Sequence, residues 1–111
     1  MNKVIIVEGK TDKERLLEII EEPVEIICTY GTLGYQRLEE MLPQLQGKDI
    51  YLLTDADAAG EKLRKQIKRE FPDVHHLYTD KMYREVAATP VAYLTELLSK
   101  AHFLVKKRLE F

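Results

Sequence analysis

The sequence predicts an α/β fold, a three-layer sandwich in which a four-stranded, mostly parallel sheet lies between helices. Two observations carry this expectation. Short β-branched apolar runs alternate along the chain with longer amphipathic stretches. The apolar runs are continuous, as in strands covered on both faces, where one solvated face would give an alternating pattern. Strand–helix alternation of this kind favours parallel strands joined by right-handed crossovers.

The elements follow in order. Val4-Ile5-Ile6-Val7 reads as the first strand and ends at Glu8-Gly9. Thr11-Asp12-Lys13-Glu14 reads as a capping box, Thr11 capping and Glu14 reaching back. The helix behind it carries Leu16, Leu17, Ile19 and Ile20 and must stop near Pro23. Residues 24–29 form a second strand, leading through Tyr30-Gly31-Thr32-Leu33-Gly34 to a helix with Leu38, Met41 and Leu42 that Pro43 ends or bends. Residues 50–54 are the third strand, leaving through Asp55-Ala56-Asp57-Ala58-Ala59-Gly60. The next helix spaces Ala59, Leu63, Ile67 and Phe71 four apart on one face and closes at Pro72. Residues 74–78 are a fourth strand, and a last helix opens at Pro90, runs through Leu98 and is expected to continue toward Arg108.

The chain has 111 residues, the size of one domain, with no internal repeat, low-complexity tract or linker. Residues 1–111 are therefore expected to form one domain with its core at about 3–80 and a helical segment at about 90–108. Apolar residues make up 45% and charged residues 32%, which excludes a disordered chain. No apolar run approaches the ~20 residues of a membrane span, and no signal-peptide layout precedes Val4. A single cysteine, Cys28, fits a reducing cytosol, so a cytoplasmic protein without membrane attachment is expected. The net charge of −2 excludes a wholly basic nucleic-acid binder but not a local basic face. Such a face exists: residues 61–70 carry five bases against two acids, whereas residues 12–25 carry six acids against two bases.

In open parallel sheets, ligands bind beyond the carboxyl ends of the strands at a topological switch point. Two such ends carry acids here: Glu8 after the first strand, Asp55 and Asp57 after the third. If those strands are neighbours, three carboxylates share one cleft, an arrangement that is costly unless a cation neutralises them or one stays protonated. Carboxylate and water ligation suits Mg²⁺, with Mn²⁺ as the alternative. A carboxylate with a raised pKa would serve as general acid or base. An Asp-x-Asp pair before a helix is also an ordinary cap and turn, so the case rests on both acidic stations together.

Val7-Glu8-Gly9-Lys10-Thr11-Asp12 and Asp55-Ala56-Asp57-Ala58-Ala59-Gly60 resemble the two signature motifs of the Toprim domain, and the resemblance covers roughly residues 3–80. Within that superfamily the chain is most similar to small stand-alone members, the maturase of 5S ribosomal RNA and the Toprim cores of primases. The resemblance implies that Glu8 is the general acid/base of phosphodiester cleavage or strand transfer and that Asp55 and Asp57 hold Mg²⁺, with Glu8 as a further metal ligand. Some topoisomerases carry a third acid two positions beyond the pair, where this chain has Ala59, so a fully protein-ligated second metal is not implied. The expected partner is nucleic acid, RNA or DNA, with a partner protein as a further option.

Lys10, Gly31, Thr32, Lys62 and Lys65 are the candidate phosphate contacts. Lys10 adjoins Glu8, the glycine turn would offer N–H groups, and the basic helix starts beside Asp57. Each also has an ordinary reading as a solvated lysine or a plain turn. His75 and His76 are adjacent strand residues on opposite faces and cannot share a metal. Tyr83, Arg84 and Glu85 are left open as rim residues. The expected function is Mg²⁺-dependent phosphodiester chemistry by a nuclease or nucleic-acid-processing protein. Its alternative is a non-catalytic Mg²⁺- and nucleic-acid-binding module acting in a larger complex. A phosphoacceptor receiver domain fits less well, since it needs an acidic pair after the first strand and a lysine after a fifth. Phosphatases that use Asp-x-Asp place it after their first strand.

Overall fold

The computed structural model describes residues 2–31 and 33–106. Four parallel strands, β1 (Lys3–Val7), β2 (Glu25–Cys28), β3 (Asp49–Leu53) and β4 (His75–Leu77), form one sheet in the order β2-β1-β3-β4. Helices α1 (Lys10–Ile19), α2 (Tyr35–Leu45), α3 (Ala58–Glu70) and α4 (Val91–Lys100) cover it. The expected four-stranded α/β sandwich is thus what forms. The chain leaves β1 outward to β2 and returns on the other side as β3, so the switch point lies between β1 and β3. That is where Glu8 and Asp55 emerge.

The continuous apolar strands supply both cores. Ile5, Val7, Tyr51, Leu53 and Leu77 face one layer, packed on Leu16 and Ile19 of α1 and Leu94 and Leu98 of α4. Val4, Ile6, Ile50 and Leu52 face the other, on Met41 and Leu45 of α2 and Leu63 and Ile67 of α3. The i, i+4 spacing seen in α3 is this second contact.

Three local expectations are corrected. The α1 cap is Gly9, and the reciprocal acid is Asp12, whose Oδ2 accepts from the Gly9 N–H at 3.1 Å. Only Glu8 and Gly9 separate the strand from the helix, so the cap falls two residues before Thr11 and Glu14 has no part in it. Pro43 lies inside α2, which does not end there but runs on to the buried Leu45. The last helix stops at Lys100: His102 takes φ +70°, its N–H bonds Ser99 O, and the Phe103 N–H bonds Leu98 O. This is a Schellman motif closed by buried Phe103, after which Val105 bridges to Ile20 antiparallel. Lys107 and Arg108 lie outside the described residues.

Arg64, counted in the basic face, is buried at 4% exposure. It donates to Leu52 O of β3, Leu77 O of β4 and His76 Nδ1. Burial lowers the His76 pKa and the Arg64 charge lowers it further, which keeps that imidazole neutral and accepting. His75 points to the other face and stacks on Tyr51 at 4.6 Å. Replacing Arg64 by lysine removes the planar fork and leaves a buried carbonyl short of a donor. Arg64→Lys is expected to cost about 1–2 kcal/mol and lower Tm by about 5–10 °C. A thermal melt superimposable on that of the unsubstituted protein would show that the fork does not tie β3 to β4.

Candidate functional site

Glu8 extends β1 by one residue, and Thr54 and Asp55 extend β3 beside it. The Asp55 N–H donates to Glu8 Oε1 at 2.8 Å, bridging the two strand ends at the switch point. Asp55 Oδ1 in turn accepts from the Val86 N–H at 2.8 Å. Asp57 caps α3, its Oδ1 accepting from the Gly60 N–H at 2.7 Å. Each acid therefore spends one oxygen on a backbone N–H, while its second oxygen accepts no hydrogen bond among the described residues.

A fourth acid joins them. Asp12 is 7% exposed, and the negative charge of Asp55 acts on it. Burial pushes the Glu8 carboxyl above its ordinary value, and the charges of Asp55, Asp57 and Asp12 push the same way against the Asp55 hydrogen bond. Asp12 is likewise raised, by burial first and then by Asp55, opposed by the Gly9 N–H and Arg15. Burial beside neighbouring negative charges, as at Glu8 and Asp12, marks a centre that a cation would relieve. Among the described residues no three His, Cys, Asp or Glu side chains form a ready-made metal cage. The donor set still fits Mg²⁺, which takes one or two protein carboxylates and fills its octahedron with water and phosphate oxygens.

The linkage sign is explicit. A carboxyl with a raised folded-state pKa adds stability below its unfolded value and loses it as pH rises through the folded value. The ordinary values are 4.5 for Glu8 and 3.8 for Asp12, so the loss begins there and extends upward. In chelator, Glu8→Gln is therefore expected to gain Tm over the unsubstituted protein as pH is raised from about 4 to about 7. A Tm difference independent of pH would contradict mutual repulsion at this site.

The segment after β4 completes the rim. It forms short 3₁₀ turns at Lys81–Tyr83 and Val86–Ala88, and Arg84 between them takes φ +49°. The Ala56 N–H donates to Arg84 O at 2.6 Å, and Arg15 of α1 donates to the carbonyls of Val86, Ala87 and Thr89. Arg15 thus fastens the turn whose Val86 N–H orients Asp55. A shallow cavity of about 380 Å³ lies here, lined by Asp57, Met82, Tyr83, Arg84 and Glu85. A cavity of about 480 Å³ between residues 45–50 and 70–75 lies at the opposite, amino end of β3 and β4, away from every acid of the site.

The other sequence candidates divide. Lys10, a candidate phosphate contact, is exposed, lies 3.9 Å from Glu14 as an i, i+4 pair, and is not among the charges acting on Glu8. Gly31 takes φ +109°, a conformation that favours glycine, in the turn after β2. Thr32 lies outside the described residues. Lys62 and Lys65 are exposed on α3, while Arg64 between them is turned inward. Tyr83, Arg84 and Glu85, left open from the sequence, line the cavity at the rim; Asp12, Arg15 and the Val86 N–H were missed as site groups, and only the Asp12 position, within the first motif, offered a signal. Among the described residues, no helix is long and apolar enough to cross a membrane.

Comparison with known proteins agrees with this fold. The uncharacterized protein YusF of Bacillus subtilis (strain 168) is 50% identical over 105 residues, covering 95% of this chain and 72% of that protein. Ribonuclease M5 of Staphylococcus aureus (strain NCTC 8325 / PS 47) is 34% identical over 82 residues, 73% of this chain but 45% of the enzyme. The chain thus spans less than half of that ribonuclease. A small TOPRIM domain protein from Bacillus stearothermophilus superposes with TM-score 0.90 at 53% identity, covering 96% of this chain and 90% of that one. Residues 3–89 match the Toprim domain, and with its acids at the β1–β3 switch point the chain belongs to the Toprim domain family.

Proposed function

We propose that this protein carries out Mg²⁺-dependent phosphodiester chemistry on nucleic acid, as a nuclease or nucleic-acid-processing protein. The observation that supports it is the Glu8–Asp55 bridge at the switch point, in a chain similar to ribonucleases M5. Asp55 and Asp57, with Glu8 adjoining, are the residues that would hold the metal. Bound there, Mg²⁺ or Mn²⁺ supplies neutralisation of phosphate charge and stabilisation of the leaving oxygen.

The rest of the chemistry belongs to the chain. Glu8, its carboxyl pushed up by burial and neighbouring acids, keeps a proton at higher pH than an ordinary glutamate. It is the group that gives a proton to the leaving oxygen or takes one from the attacking water. The Val86 and Asp55 N–H groups hold Asp55 and Glu8 in place, and Lys62 and Lys65 give sequence-independent phosphate attraction. RNA is the favoured partner because the chain is similar to the ribonucleases M5 of Staphylococcus aureus and Mycoplasma capricolum.

A second reading, a module that binds Mg²⁺ and nucleic acid without cleaving it, is favoured by the coverage of only 45% of the Staphylococcus aureus enzyme. Labelled structured RNA, single-stranded DNA and plasmid, each incubated with Mg²⁺ or chelator, separate the two. The expected result is cleavage in Mg²⁺ alone, reduced at least about tenfold in Asp57→Asn, which retains an α3 cap. Binding of both ligands with no cleavage of any substrate would favour the module.

A further inference from the structure

We infer that Tyr30 and Tyr78 are a pair of base-stacking platforms that hold the unpaired nucleotides of a single strand on either side of the Glu8–Asp55 carboxylates. The inference rests on the nucleic-acid reading above and adds the substrate class. Continuing the strand register by one residue puts Thr29, Glu8, Thr54 and Tyr78 in one row across β2, β1, β3 and β4. Tyr30 follows Thr29 directly, and its N–H donates to Glu8 O at 2.7 Å. The two tyrosines thus stand just past the carboxyl ends of the outer strands, with the acids between them. Three strand spacings separate them, about 14 Å, which is about four stacked nucleotide steps of 3.4 Å.

Each ring is exposed beside an arginine, and that of Tyr78 also has the His76 ring stacked 6.1 Å away. Tyr30 is 68% and Tyr78 61% exposed. The Arg37 guanidinium lies 5.8 Å from the Tyr30 ring centroid, and the Arg64 guanidinium lies 4.1 Å from that of Tyr78. Each arginine is itself pinned to carbonyls at strand ends: Arg37 to Cys28 and Thr29, Arg64 to Leu52 and Leu77. A ring steadied by a fixed cation loses less freedom when a base stacks on it, and stacking tolerates any base.

The Tyr30 backbone strengthens the case. It takes φ +56°, a left-handed conformation that costs a bulky residue of order 1 kcal/mol or more. A ring left mostly in water recovers little of that cost through burial. The strain is kept at the edge of the site, where local strain tends to serve function. Bases stacked within a duplex have no face free for such platforms, so unpaired nucleotides are the class recognised.

The test measures anisotropy of dye-labelled pyrimidine single strands of about 12 nucleotides, RNA in one arm and DNA in the other, beside duplex of the same sequence. Ca²⁺ replaces Mg²⁺ as an oxygen-seeking cation. Tyr30→Asn and Tyr78→Leu are each expected to weaken single-strand binding at least about fivefold, while Tyr30→Phe and Tyr78→Phe retain it. Duplex binding should be the weaker in the unsubstituted protein, and the margin should shrink in Tyr30→Asn and Tyr78→Leu. Tyr30→Asn should hold or raise Tm, since asparagine tolerates the left-handed backbone, so lost affinity there cannot be lost folding. A loss in either arm supports the platforms, and the tighter arm identifies the sugar. Single-strand affinity within about twofold in both non-aromatic variants, or duplex bound as tightly as single strand, overturns them. That result leaves metal-dependent cleavage to the Asp57→Asn assay, so the two readings fail separately.

Discussion

Gly60→Ala is expected to lower Tm by about 12–20 °C and to disable the acidic site together with the fold around it. A methyl group at position 60 would stand 2.1 Å from the Asp55 carbonyl oxygen and 3.0 Å from Thr54 Oγ1. Neither the helix nor the turn has a flexible side chain to move aside at the shorter contact, because the obstacle is backbone. Relief requires α3 to back away from the β3 end, which loosens the Asp57 cap on the Gly60 N–H. Overpacking of this kind costs about 1–3 kcal/mol and a lost cap about 1, giving about 3 kcal/mol for the pair. The damage is directional as well. The displaced backbone carries the Asp55 N–H that bridges to Glu8 and the Asp55 carboxylate that Val86 orients. Circular-dichroism melts with and without Mg²⁺ give both readouts: a large drop in Tm and no stabilisation by metal. A Tm within about 3 °C of the unsubstituted protein would mean that the turn opens freely and that Gly60 does not set the site.

Much of this arrangement was legible before any coordinates. Continuous runs such as Val4–Val7 and Ile50–Leu53 read as strands buried on both faces, and Glu8 and Asp55 are placed by being the first and the second residue past them. What local pattern could not reveal is long-range. Arg64 sits among four other cations in residues 61–70, and only its angular position on α3 directs it between β3 and β4. Arg15 reaches carbonyls more than 70 residues away, with no spacing in the chain to announce it. Asp12 was read as the interior of a capping box whose ends were two residues off, so its reach to Gly9 and its approach to Asp55 went unseen. His102 and Tyr30 adopt left-handed backbone without a glycine. Gly31 marked the turn after β2 but not the tyrosine held open beside it, and nothing marked the end of α4.

Glu8→Gln separates charge from geometry, and it is expected to reduce phosphodiester turnover by about 10²–10⁴-fold while leaving the fold intact. The glutamine carbonyl can still accept from the Asp55 N–H, so the bridge between β1 and β3 survives. What is lost is the proton and the negative charge. The first removes general acid/base chemistry; the second removes repulsion with Asp55, Asp57 and Asp12, all of which raise the carboxyl's pKa. Activity and stability should therefore move in opposite directions: turnover falls, and the metal-free protein at neutral pH melts no lower than before and by the linkage above somewhat higher. A purely structural role for Glu8 predicts the reverse pairing, a lower Tm with activity falling in proportion to the folded fraction. The pH–rate profile adds a readout that misfolding cannot mimic. The unsubstituted protein should show a limb set by a carboxyl titrating above its usual range, and Glu8→Gln should lose that limb in whatever turnover remains. Cleavage at an undiminished rate in Glu8→Gln, with the same pH profile, would remove Glu8 from the chemistry and leave it as the hydrogen-bonded clamp between the two central strands.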